Sequence, residues 1–267
     1  MQFPSNYGWN AKDYALNSQN QYSWAKELIP KLHLLGDESV LDIGCGDGKI
    51  TADIAQALTK GRIVGIDSSS NMINQAKSTF PKQKYPNLNF MLMCAQQLEF
   101  HQEFDVAFSN AALHWVMDQK SVLAGVYQSL KSGGKVLFQM GGKGSSQPVI
   151  DIFDHLRTTD KYQSFFKDFK FPYYFPTPQE YKPLLLHAHL EPVRVDLMVK
   201  DMKFPDAEGM MGWLRTTWLP FTERVPVELR EEFINDIAEG YLDIHPPNKD
   251  GSIHVDMVRL EVEARKA

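Results

Sequence analysis

The run Val40-Leu41-Asp42-Ile43-Gly44-Cys45-Gly46-Asp47-Gly48 constrains the fold of this chain more than any other stretch of its 267 residues. Three apolar residues around one acid read as a buried strand. Three glycines spaced two apart follow, and then an amphipathic helical pattern. Glycine has no Cβ, so the backbone there can turn tightly and approach a ligand closely. The free N–H groups and the positive dipole end of the following helix face the same point. A strand, a glycine turn and a helix in this order make a pocket for a nucleotide-type cofactor. A dinucleotide fingerprint needs Gly-x-Gly-x-x-Gly. Counted from Gly44, its third glycine falls at position 49, where Lys49 stands instead.

The rest of the chain alternates. Strands are expected at 39–43, 62–67, 88–93, 104–109 and 135–140, separated by helical patterns at 49–58, 71–80 and 120–130. Two further strand patterns lie at 193–202 and 253–264. Such alternation predicts an α/β, doubly wound, mostly parallel seven-stranded sheet, with ligands at the carboxyl ends of the strands. Residues 18–34 predict an N-terminal helix with Tyr22, Ala25, Leu28, Ile29 and Leu32 on one face, weakened near its end by Pro30. Aromatic-rich helical segments at 144–190 and 205–245 predict a cap over the pocket mouth. The expected organisation is therefore a lid helix (1–35), a cofactor core (36–143), the two cap insertions, and closing strands at 191–204 and 252–266.

Composition narrows the partners. Formal net charge is −5 and no basic run of five or more residues occurs, so a nucleic-acid substrate is not expected. Only two cysteines, Cys45 and Cys94, are present, one in the glycine loop and one in a strand, which fits free thiols in a reducing compartment. No signal pattern and no apolar run of membrane-spanning length appears, so a cytoplasmic location and no membrane partner are expected. Monomer and homodimer both remain open.

The nine residues 40–48 resemble the first motif of the class I S-adenosylmethionine-dependent methyltransferases, Val-Leu-Asp-x-Gly-Cys-Gly-x-Gly. The later run Ser109-Asn110-Ala111-Ala112-Leu113-His114-Trp115-Val116 resembles a narrower branch, which includes trans-aconitate, malonyl-carrier and juvenile hormone acid methyltransferases, all acting on a carboxylate. The resemblance implies a Rossmann-like methyltransferase fold, S-adenosyl-L-methionine as cofactor, and a small-molecule acceptor. It places Asp42, Gly44, Cys45, Gly46 and Gly48 around the cofactor. Asp67, at the end of the second strand, would accept from the ribose hydroxyls, although a carboxylate there also suits NAD. Ser68 and Met72 follow; Met72 reads either as an adenine contact or as a helix core residue. In the third strand the family's Gly-Asp-Ala is here Met93-Cys94-Ala95, and cysteine is a weak acceptor. Adenine contact then falls to the Ala95 backbone N–H and to a neighbour such as Gln96, with Cys94 beside them among the cofactor-binding residues. Asn110 and Ala111 would face the methionine part of the cofactor.

On the acceptor side the same resemblance implies His114 and Trp115, with ring packing as the alternative. Tyr14 and Gln21 match a lid helix in which a tyrosine covers the cofactor and a glutamine meets the acid; both also read as solvated helix residues. Arg215, between Trp213 and Trp218, reads as a carboxylate clamp or as a surface arginine on an aromatic. No metal cluster and no nucleophile triad is apparent. The expected reaction is methyl-ester formation by in-line displacement with no obligatory base. Alternatives are N-, O- or C-methylation of another metabolite with His114 as base, a nicotinamide-dependent dehydrogenase, and a non-catalytic nucleotide-binding module.

Overall fold

A computed structural model describes residues 19–267, and the side chains from Tyr22 onward. Tyr14 lies outside the described residues; Gln21 is placed in a helix, with its side chain outside them. Helix α1 (Gln19–Leu28) gives way at Pro30 to a short 3-10 turn, Ile29–Leu32. The missing proline N–H makes that break where the sequence expects it.

The sheet strands are β1 (Ser39–Ile43), β2 (Arg62–Asp67), β3 (Leu88–Leu92), β4 (Phe104–Asn110), β5 (Leu130–Gly141), β6 (Leu190–Phe204) and β7 (Ile253–Lys266). They stand in the order β3-β2-β1-β4-β5-β7-β6. The first five are parallel; β7 inserts antiparallel between β5 and β6. Helices α2 (Lys49–Ala57), α3 (Ser70–Thr79) and α4 (Gln119–Ser129) form the crossovers. Strand β5 starts earlier than expected. Leu130 already pairs with Phe104, and the Lys131–Gly134 stretch, which lies between the expected helix and strand, is taken up by a register shift with Gly133 at φ 73°.

Strand parity sorts the core. Leu41 and Ile43 of β1 point into one apolar layer and Val40 into the other. Asp42 therefore shares the Val40 face and is 2% exposed. Strand order reverses beside β1, because its neighbours are β2 on one side and β4 on the other. The turn after β1 sits at that switch point, where open α/β sheets bind ligands.

Four helices follow the parallel half: α5 (Gln147–Leu156), α6 (Pro178–His187), α7 (Ala207–Thr217) and, after the single turn α8 (Leu219–Thr222), α9 (Arg230–Ile244). Their apolar faces do not share one core. Tyr181 and Leu185 of α6 join the sheet cluster with Leu123 and Val126, so this helix completes a sheet layer although its sequence falls within the expected cap stretch. The remaining helices bury Val149, Phe153, Trp213, Phe221, Phe233 and Ile237 together with Met202, Phe204, Ile253 and Val255. The reason is length. Strands β6 and β7 pair from Leu190↔Lys266 to Phe204↔Ile253, whereas β5 covers β7 only from Arg259 to Arg265. The hairpin projects past β5, and its apolar end needs a cover.

Candidate active site

The site grows from the turn after β1. Gly44 takes φ 78° and Gly48 takes φ 82°, values that favour glycine. A Cβ on Gly44 would stand 2.2 Å from the Ala112 Cβ, so the β1 and β4 ends approach only because it is absent. The Gly44 and Cys45 N–H groups both donate to Ile66 O, at 2.8 and 2.9 Å. The Gly46 N–H donates to Asp67 Oδ2 at 3.0 Å, and the Ser69 N–H to Asp67 Oδ1 at 2.8 Å. Loop and second strand are thus locked together. Each Asp67 oxygen keeps a lone pair for a ligand hydroxyl.

Gly48 departs from expectation: it does not line the cavity. A Cβ there would meet the Phe90 ring at 2.5 Å and Ala76 at 3.0 Å. It lets the start of α2 pack on the neighbouring elements, the task a dinucleotide motif gives to its third glycine.

The turn opens onto a cavity of about 370 Å³. Its wall contains Asp42, Gly44, Cys45 and Gly46 from the first motif, and Asp67, Ser68 and Met72 from the second. Cys94, Ala95 and Gln96 also line it, as do Asn110, Ala111 and Trp115. Met72 is 4% exposed within α3, packed as a helix core residue, and also lines the cavity. The Cys94 thiol points to Gln96 Oε1 at 3.7 Å. Ala111 holds φ 55° at the end of β4, an uncommon conformation for a residue with a Cβ. Sequence reasoning missed Tyr22, Lys49, Met93 and Met117 in this wall. In the sequence Tyr22 reads only as a buried-face residue. Its hydroxyl donates to Asp53 Oδ2 at 2.7 Å and ties α1 across α2.

The electrostatics ask for a cation. Asp42 accepts from Thr51 Oγ1 at 2.7 Å, yet burial pushes its carboxyl up from 3.8 to about 7. Burial also raises Asp67, against its backbone N–H donors. The Cys45 thiol is raised well above its ordinary value by burial, then by Asp67 and Asp42, so it stays protonated. Two desolvated carboxylates on one cavity wall fit a nucleoside that carries positive charge.

His114 and Trp115 lie on a 3-10 turn after β4. Trp115 faces the cavity; His114 turns instead into a box of Trp115, Tyr173 and Phe175, with ring centroids 5.8–5.9 Å away. The Gly141 N–H donates to His114 Nδ1 at 3.4 Å. Burial, then the Arg259 charge, holds the imidazole well below 6.5. Because Nδ1 accepts, the single proton of the neutral ring sits on Nε2.

Arg215 corrects the expected clamp. Its guanidinium is bound by Glu231 through two contacts of 3.0 Å and by Glu208 at 3.3 Å, on the outer side of α7. Trp213 and Trp218 are buried in the cap core, away from the cavity wall. Among the described residues, no group of three or more His, Cys, Asp or Glu side chains could hold a metal ion, and no helix is long and apolar enough to cross a membrane. Cys45 and Cys94 are both free and buried.

Comparison with known proteins agrees with this geometry. The family model described as "Methyltransferase domain" matches residues 35–185. The chain is 31% identical to an uncharacterized methyltransferase, C70.08c, of Schizosaccharomyces pombe, across 98% of this chain and 99% of that one. It is 26% identical to a trans-aconitate 2-methyltransferase of Methylobacterium radiotolerans, across 97% and 98%. Among solved structures, a geranyl diphosphate methyltransferase in complex with S-adenosylmethionine shares the fold with a TM-score of 0.56 at 16% identity, covering 99% of this chain and 93% of that one. The hydride-transfer alternative falls with the family match. This chain belongs to the S-adenosylmethionine-dependent methyltransferases, and S-adenosylmethionine is its cofactor.

Proposed function

We propose that the enzyme methylates a carboxylate of a small-molecule acid, giving a methyl ester. The observation that carries this reading is the state of His114. Its Nδ1 faces the Gly141 amide, and the ring stays neutral far below pH 7. Such an imidazole donates from Nε2 and is a poor proton acceptor. An acceptor needing deprotonation would find no base in it. A carboxylate is already ionised at neutral pH and needs none. The name of the trans-aconitate relative points the same way.

The bound cofactor supplies an electrophilic methyl group on a sulfonium. Asp67 would accept from the ribose hydroxyls, Met72, Cys94, Ala95 and Gln96 would surround the adenine, and Asp42 would face the ammonium end. Ala111 and Asn110 would lie along the methionine chain. His114 Nε2 would donate to one carboxylate oxygen and leave the other aligned for attack. Transfer forms the C–O bond as the C–S bond breaks, and no proton moves. Two opposite charges disappear in the process, so the aromatic walls, which exclude water, favour it. Tyr14 and Gln21 keep their proposed lid roles over cofactor and acid.

Labelled cofactor and a panel of carboxylic acids test the reading. Base-labile incorporation is expected, with a turnover number flat from pH 6 to 9 at saturating cofactor. Base-stable product, or turnover rising through a single ionisation in that range, would overturn it and favour N-, O- or C-methylation with a base.

A further inference from the structure

We propose that β6 pairs antiparallel with β6 of a second copy of this chain, on a two-fold axis at Met198, joining two sheets into one. Strand β6 stands last in the strand order and pairs with β7 alone among the described residues. Its other side presents backbone N–H and C=O groups, an edge that proteins guard with proline, bulges or charge. Here the proline and the bulge, between Pro192 and Arg194, guard only the start. From Arg194 to Met202 the register with β7 runs without a shift. In the middle of that run four consecutive residues, Asp196, Leu197, Met198 and Val199, are exposed. Successive side chains point to opposite faces, so the helices leave both faces of the sheet open at this point. Val199 is 66% exposed.

Charge selects the occupant. The outer charges of the strand are answered within the chain: Arg194 by Glu261 and Glu263, Asp201 by His254, Lys203 by Asp250. Among the described residues Asp196 meets only Arg194, at 3.8 Å. Lys200 bonds Glu27 of α1, and its ammonium keeps donors for a second acid. Asp196, Met198 and Lys200 share one face, with the opposite charges equally far from Met198. A two-fold axis through an antiparallel pair sets residues equally far from it opposite each other, on the same face. Centred on Asp196, it opposes two aspartates; centred on Leu197, it opposes Arg194 to Lys200. Centred on Val199, it sets Lys200 against Met198 and Asp201 against Leu197. Centred on Met198, it pairs Asp196 with Lys200 twice and Leu197 with Val199 twice, each a favourable cross-strand pair. Within the exposed stretch this centre alone matches charge to charge and apolar to apolar. A strand complementary to itself in this way fits a second copy of the same chain. The ladder from Arg194 to Met202 is about 30 Å long.

Sedimentation and cross-linking test the register. Wild type should follow a monomer–dimer equilibrium with a Kd of about 10 µM, as a short interface gives. Asp196→Lys sets lysine opposite lysine, and Lys200→Asp sets aspartate opposite aspartate. Each variant alone should therefore stay monomeric at about 100 µM. Mixed in equal amounts, the two should form a heterodimer, because both facing pairs are then of opposite charge. Met198→Cys should give a disulfide-linked dimer under mild oxidation, since directly opposed residues stand within disulfide reach. Val199→Cys should not, because its own counterpart lies on the diagonal. Cys45 and Cys94 are buried and leave the cross-link to the introduced thiol. S-adenosylhomocysteine affinity should stay within twofold throughout, because no β6 residue lines the cavity. A wild type that is monomeric at about 100 µM, alone or bound to another protein, would overturn the inference. So would a mixture as monomeric as its components, or Val199→Cys linking as readily as Met198→Cys.

Discussion

Asp42 is where a single atom change tests the cofactor site most directly. Its carboxyl is 2% exposed and titrates near 7 rather than 3.8, chiefly through desolvation. At 1.36 kcal/mol per unit, ionised Asp42 costs the ligand-free fold about 4 kcal/mol above neutrality. The sign follows from proton counting. Between about pH 4 and 7 the folded protein binds a proton here that the unfolded chain does not, so stability rises as pH falls through that window. A cation-bearing cofactor needs the opposite, ionised form. With a value near 7, about 3% of free protein is ionised at Asp42 at pH 5.5 and most is at pH 8. Affinity for S-adenosylmethionine should then fall about 30-fold from pH 8 to pH 5.5. Asp42→Asn removes the titration. It should make the ligand-free protein melt higher at pH 8, weaken cofactor binding there by about 2 kcal/mol, and flatten the remaining pH dependence. Calorimetric titration at pH 5.5, 7 and 8 reads the affinities, and thermal unfolding reads the stability. Wild-type affinity that is independent of pH, or an Asp42→Asn variant with unchanged affinity, would refute the placement of positive charge beside this carboxylate.

Four further outcomes are expected. Gly44→Ala forces a Cβ to within 2.2 Å of Ala112 at a φ that disfavours it; it should cost about 3 kcal/mol in denaturant unfolding and abolish tight cofactor binding. Tyr22→Phe removes the Asp53 hydrogen bond that ties α1 down; cofactor dissociation measured by stopped flow should speed up about fivefold, worth about 1 kcal/mol. Glu261→Ala leaves Lys31 and Arg194 facing each other without their buried acid and should destabilise by about 3 kcal/mol, seen as a lower urea midpoint. Arg215→Ala breaks only outer contacts with Glu208 and Glu231, so kcat and KM should stay within twofold; a large KM increase would return it to the acceptor site.

Much of the site was legible because the residues that build it are contiguous. Val40 to Gly48 encode a buried strand, a turn only glycine makes easily, and a helix start. Asp67 follows from the end of the next strand. The structure gathers these with Met72, Cys94, Ala95, Gln96, Asn110 and Ala111 around one cavity. Gly48 escapes the same logic because spacing shows where a glycine stands, not which neighbour, here Phe90, occupies the space its Cβ would need. The Tyr22 hydroxyl was hidden because periodicity registers a tyrosine's apolar body and says nothing of its partner 31 residues away, Asp53.

The acceptor side was decided only by tertiary structure. Arg215 sits between two tryptophans in sequence, yet the turn of α7 sends its guanidinium to Glu231 while both rings go inward. Arg259 looks like one charge on an alternating strand; its burial beside His114 comes from pairing with Gly141, 118 positions earlier. The α6 helix shows the same limit, since its sequence falls in the cap stretch but its apolar face meets the sheet. By itself the sequence determined the sheet class, the glycine turn and the two carboxylates of the cavity wall, Asp42 and Asp67, which local backbone chemistry and short-range periodicity specify. Which buried charge stands beside His114, which helices form the cap, and which expected contacts turn outward were settled by strand register and hairpin length, because these bring together side chains that no local pattern connects.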